Sequence, residues 1–140
     1  MGGVSATSPP IRTYIYKGTL SEFETGVRRL TRSDSYITYE ITDTLGNINI
    51  GYTKRMSIFY VTNKRNVKYE LKYEVVDSQM TVKLIMAYDP KNNIGGYSLK
   101  TTGDKELLII FENEVLIKLK EKQHIVLKPD TSFWANFSIY

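Results

Sequence analysis

The amino-acid sequence predicts a mainly β, α+β fold: an antiparallel β-sandwich or partly open barrel of about nine or ten short strands with one short helix near the N-terminus. Three observations carry this. From Val67 to Val75 every odd position is apolar or aromatic and every even one is Lys or Glu, the period of a strand with one face packed and one wet. Eleven tyrosines and five phenylalanines, with abundant Thr, Val and Ile, suit pleated, half-buried surfaces. Turn chemistry cuts most of the remaining chain into short segments, and a single Thr-x-x-Glu signature marks a helix start.

Residues 1–10 are small, polar and proline-containing, and read as an N-terminal arm; residues 11–140 read as one β-rich domain. Ile11 to Lys17 alternates Ile11, Thr13 and Ile15 against Arg12, Tyr14 and Tyr16, a first strand that Gly18 ends. Thr19 and Glu22 form the capping box, and Leu20, Phe23, Val27 and Leu30 recur at helical spacing, so a helix is expected over about 20–31, with Gly26 as its dissonant residue. Tyr36 to Thr42 predicts a strand, 43–47 a turn, Ile48 to Tyr52 its hairpin partner, and Met56 to Thr62 a further strand. After a polar turn at 63–66 comes the alternating strand, then a turn at 77–79 and its antiparallel partner, with Met80, Val82, Leu84, Met86 and Tyr88 in phase. Asp89 to Gly96 is the longest stretch of turn residues and is expected to be a mobile loop.

Strands are also expected at Tyr97 to Thr101, at Leu107 to Phe111, at Val115 to Lys120, at His124 to Leu127 and at Phe133 to Tyr140. Turns fall at 103–104, at Asn113 and Glu114, and at 128–130. The run Leu107-Leu108-Ile109-Ile110-Phe111 is apolar on both strand faces, which predicts a central strand covered on two sides.

With no cysteine and one histidine, disulfides, thiolate metal sites and cysteine nucleophiles are excluded, and no acidic loop of the calcium-binding type is present. No metal or cofactor is expected. Nineteen basic against fifteen acidic side chains give a net charge of +4, but they alternate along strands, which does not favour nucleic acid. No apolar run is long enough to span a membrane and no signal-peptide pattern opens the chain, so a soluble protein of undetermined compartment is expected. Asn136-Phe137-Ser138 fits the N-glycosylation acceptor pattern and is read as coincidence.

His124 has no identifiable nucleophile or orienting carboxylate and reads as a histidine at a strand start. Glu40, Glu70, Glu74, Glu106, Glu112 and Glu114 are the carboxylates from which a hydrolase pair could be drawn, though solvated side chains explain them as well. Lys118, Lys120 and Lys122 fall on one face of an expected strand and are the candidates for an anionic contact. Pro9 and Pro10 in the arm, and Phe133, Trp134, Phe137 and Tyr140 in an aromatic terminal segment, are the candidate interface residues.

The sequence thus points to a non-enzymatic structural or interaction module, a subunit of a larger protein assembly such as a virus particle, tail or surface appendage, with other protein subunits as partners. A small-molecule or lipid-binding β module, with an apolar cavity under the helix, is the alternative, and a carboxylate-based hydrolase comes third.

Overall fold

In the computed structural model, residues 10–47, 51–76, 79–97 and 103–130 are described. The alternation that organises the sequence sets the sheet. Its strand, β4 (Asn66–Val76), pairs antiparallel with β5 (Gln79–Asp89), and the even-numbered Lys and Glu face away from the core while Val67, Tyr69, Leu71 and Tyr73 are buried. With β1 (Arg12–Tyr16), β2 (Ile37–Asn47), β3 (Gly51–Val61), β6 (Ile94–Gly96) and β7 (Lys128–Pro129) they form one open sheet in the order β2-β3-β4-β5-β1-β7, with β6 also on β5. All seven strands of the described residues belong to this sheet, so the mainly antiparallel α+β class is seen, as one layer of strands under helices.

Helix α1 (Leu20–Ser33) begins where the capping box places it: the Glu22 amide donates to Thr19 Oγ1 at 3.0 Å, and the Thr19 amide donates to Glu22 Oε1 at 2.9 Å. Phe23, Val27 and Leu30 pack onto the inner face of the sheet. Gly26 is dissonant in sequence for a tertiary reason. A Cβ there would lie 2.7 Å from Ile125 Cγ1, so this glycine lets the segment after the last helix reach α1.

The expected strands at Leu107 to Phe111 and Val115 to Lys120 are instead helical. Residues 104–123 run as α2 (Asp104–Ile110), a π-helical segment (Phe111–Leu116) and α3 (Ile117–Gln123). Gly103 at φ +85° precedes α2, and Asp104 is buried at its start, accepting the Gly96 amide at 3.2 Å. The buried residues Leu107, Phe111, Val115 and Leu119 are four apart. Each four-residue step overshoots an α-helical turn by about 40°, so three steps would swing the stripe by about 120° off the sheet. A π turn of roughly 4.4 residues undershoots instead, and the step from Phe111 to Val115 lies within the π segment, which brings the stripe back. An apolar run of five residues does not by itself distinguish a covered strand from a buried helix, and Asn113 and Glu114, read as a turn, sit in the middle of this one.

Two further expectations are corrected by strand pairing. The turn at 43–47 is part of β2, and the two strands expected over 48–62 are one strand, β3, with residues 48–50 outside the described residues. The ladder from Ile37↔Tyr60 to Asn47↔Gly51 overrides the local preference of Asp43 and Gly46 for a turn, and a bulge between Ile41 and Asp43 absorbs the odd residue. A second bulge pairs Glu70 with Met86 and Leu71 with Leu84, leaving Ile85 unpaired. Beyond it Ala87 and Asp89 turn inward in place of Tyr88.

The 89–96 loop is a short turn closed by β6 and built on one buried carboxylate. Asp89 accepts the amides of Asn66 at 3.3 Å, Lys91 at 3.0 Å and Asn92 at 3.3 Å, together with the Asn92 side-chain amide at 2.7 Å, and it pairs with Arg65. Burial pushes this carboxyl up, and these hydrogen bonds outweigh burial, so its pKa lies below the ordinary value. His124 does not start a strand. It caps α3 in the left-handed region at φ 59°, its amide donating to the Lys120 carbonyl and that of Ile125 to the Leu119 carbonyl, both at 3.1 Å. The turn expected at 128–130 is β7, paired with β1.

Helix α1 and the π-helical segment each wedge one phenylalanine between two tyrosines of the sheet. Phe23 lies 5.4 Å from Tyr73 and 6.3 Å from Tyr16; Phe111 lies 4.8 Å from Tyr69 and 6.2 Å from Tyr14. Each such ring pair contributes about 0.5–1.5 kcal/mol beyond the area it buries.

Gly26→Ala, which raises intrinsic helix propensity by about 1 kcal/mol, is expected to destabilise the protein by about 1–2 kcal/mol in denaturant titrations because Ile125 must give way. His124→Gly is expected to stabilise it by about 0.5–1 kcal/mol by relieving the left-handed cap, read as a raised denaturation midpoint with unchanged slope.

Candidate functional site

Around residues 104–130 polar groups gather in three places. The first is a groove of about 370 Å³ beside the π-helical segment, lined by Arg12, Tyr14, Glu112, Leu116, Lys120 and Leu127 among others. At its inner end Glu112 Oε2 accepts from Tyr14 Oη at 2.8 Å and from Arg12 Nη1 at 3.1 Å. Burial and the adjacent Glu112 carboxylate push the Tyr14 phenol far above its ordinary pKa, so it stays protonated and acts as a donor. Arg12 and Tyr14 share a strand face in the alternation of β1, but the partner carboxylate lies a hundred residues on, and no local signal joins it to them.

The second place is a groove of about 450 Å³ on the other side of the 126–129 segment, lined by Ile15, Lys17, Gln79, His124, Val126, Lys128, Pro129 and Asp130. Val126 and Pro129 line both grooves. A smaller recess of about 240 Å³ lies between β3 and the helical stretch of 104–123, lined by Tyr60, Thr62, Arg65, Ile109 and Glu114 among others.

The third place joins α1 to the last helices. Asp34, buried at the end of α1, accepts the Tyr36 amide at 2.9 Å and pairs with Lys118 Nζ at 2.7 Å; Lys118 also reaches Glu114 at 3.1 Å. Burial pushes the Asp34 carboxyl up, but the hydrogen bond from Lys118, that from Tyr36 and the charges of Lys118 and Lys122 outweigh it, and its pKa lies below the ordinary value. Burial acts downward on Lys118, and its two carboxylate partners raise it above the usual lysine value.

The three lysines proposed from sequence for an anionic contact are therefore not on one strand face. Lys118 is tied to Asp34 and Glu114, Lys120 lines the first groove, and Lys122 is exposed near the end of α3. Of the interface candidates, Pro10 is half-buried ahead of β1, while Pro9, Phe133, Trp134, Phe137 and Tyr140 lie outside the described residues. The candidate glutamates scatter: Glu70 pairs with Arg55, Glu74 with Lys83, Glu106 with Arg65, Glu112 with Arg12 and Glu114 with Lys118, while Glu40 is exposed on β2. No two of these six glutamates share an ion-paired site among the described residues. The space expected to form a cavity under α1 is occupied by the Phe23, Tyr16 and Tyr73 rings.

Among the described residues no group of three or more His, Asp or Glu side chains could hold a metal ion, and no helix is long and apolar enough to cross a membrane. No family model matches the chain, and no curated protein or solved structure does either.

The Asp34–Lys118 contact sets an acid limit on stability. Because the folded pKa of Asp34 is depressed, its contribution is present above the unfolded value of about 3.9 and is lost as pH falls through the lower folded value. Lys118→Met, which strands a buried carboxylate, is expected to cost about 1–3 kcal/mol at neutral pH. The gap between variant and parent should narrow below about pH 4 in urea titrations across pH.

Proposed function

We propose that the chain is a non-enzymatic interaction module, a subunit of a larger protein assembly that joins its neighbours through the β2 edge of the sheet. The carrying observation is that edge. β2 is the outermost strand, eleven residues long, and its second side has no partner strand among the described residues. It contains neither proline nor lysine, the common devices that keep a sheet edge from pairing, although its bulge does interrupt the ladder. Apolar side chains crowd the same margin: Tyr36 is 53% exposed, Val61 45% and Ile41 40%, and the Val61 amide donates to the Tyr36 carbonyl, which holds two of them together. Strand addition at such an edge supplies main-chain hydrogen bonds, while exposed apolar residues beside it supply buried area.

Light scattering tests this reading. The parent chain is expected to show a concentration-dependent mass well above 16.1 kDa, and Ile41→Lys, which places a charge at the edge, to shift the mass back toward that value. A parent that remains at the monomer mass at the highest soluble concentration, with Ile41→Lys behaving identically, contradicts it.

A further inference from the structure

We propose that the 450 Å³ groove between β1, β7 and the end of α3 is a binding site for a small organic anion with an apolar body, a ligand of the alkyl carboxylate or alkyl phosphate type. The site is independent of the β2 edge, which lies at the opposite end of the strand order.

The groove has the two parts such a ligand requires. Its apolar part is Ile15, Val126 and Pro129, and Val126 stays 39% exposed although its neighbours Ile125 and Leu127 are buried. Its cationic part is Lys17, just past the end of β1, and Lys128 on β7, flanked by His124. Register places Lys128 directly opposite Ile15, so an ammonium and an apolar side chain are cross-strand neighbours. Neither lysine takes part in an ion pair among the described residues, so neither ammonium in the groove is neutralised by a carboxylate of its own. Two lysines against the one carboxylate of Asp130 leave the groove with a net positive charge. Across the 126–129 segment Lys120 adds to it, since the acid on that side, Glu112, is already engaged by Arg12 and Tyr14.

The walls are rigid on three sides. β1 is laddered to β5 and to β7, the Asp130 amide donates to the Thr13 carbonyl at 2.8 Å, and the left-handed cap at His124 is held by two backbone hydrogen bonds. A preformed concavity of several hundred Å³ with a few polar groups at one end is the usual form of a small-molecule site. The excess of ammonium groups selects the sign of the ligand's head, and the apolar floor selects a body of a few methylene groups over a bare inorganic ion.

Octanoate is the probe, with octylammonium as its charge-reversed counterpart and vesicles of anionic phospholipid as a third arm that separates a soluble ligand from a membrane headgroup. The expected result in an NMR titration is a saturable octanoate-induced shift of the Ile15 and Val126 methyl resonances, with no saturation by octylammonium. The double variant Lys17→Gln/Lys128→Gln, in which both changes are at exposed positions, should weaken octanoate binding about tenfold. Equal binding of octanoate and octylammonium, equal affinity of parent and double variant, or binding to vesicles without saturable octanoate binding would each overturn the assignment.

Discussion

The fold depends on keeping one side of a twenty-residue helical stretch against the sheet, where Tyr14 and Tyr69 meet it. Leu107, Phe111, Val115 and Leu119 are all buried in the core that the sheet shares with α1, and a spacing of four meets that demand when the helix is widened at one place. The π-helical segment is that place. It seats Phe111 between Tyr14 and Tyr69, and it presents Glu112 to Arg12 and Tyr14. The Tyr69 hydroxyl donates to the Leu107 carbonyl at 2.7 Å one turn earlier, so a strand and the helix are joined by a ring contact and a hydrogen bond at once. Removing the Phe111 ring would cost about 3–5 kcal/mol, a large part of the stability of a domain this size.

The same logic accounts for three of the eleven tyrosines. A sheet tyrosine under a helix buries its ring and delivers its hydroxyl to the helix above: Tyr73 to Glu24 at 2.6 Å, Tyr14 to Glu112, Tyr69 to Leu107. Phenylalanine would fill the space but leave those acceptors to other partners. Glu24 is held additionally by Lys54 at 2.7 Å, and Asp34 by Lys118, so α1 is fixed at both ends by charge-assisted contacts and along its length by Phe23, Val27 and Leu30.

What the sequence disclosed follows from how local each signal is. The capping box of Thr19 and Glu22 and the strict alternation of Val67 to Val75 are complete within one element, and both α1 and the β4–β5 hairpin are where those residues place them. Residues 107–111 carry five apolar side chains in a row, which satisfies a covered strand and a buried helix equally; the deciding pattern, Leu107 to Leu119 by fours, reads clearly once a π turn is admitted. Asp43 and Gly46 have turn chemistry, yet the ladder with β3 outweighs it. The grooves were not legible at all, because Lys17 and Lys128 are brought to one groove by the pairing of β1 with β7, and Arg12 meets Glu112 where the π-helical segment packs on β1. The lysine triplet looked like a strand face for the same reason that residues 115–120 looked like a strand, and its first member belongs to an internal contact with Asp34.

Residues 104–123 are one helical stretch packed on the sheet through Phe111. Backbone NMR assignments with distance restraints test it most directly. Uninterrupted helical carbon shifts from Asp104 to Gln123 are expected, with close contacts from the Phe111 ring to the Tyr14 and Tyr69 rings. Extended-chain shifts over Leu107 to Phe111, with a break at Asn113 and Glu114, would contradict it.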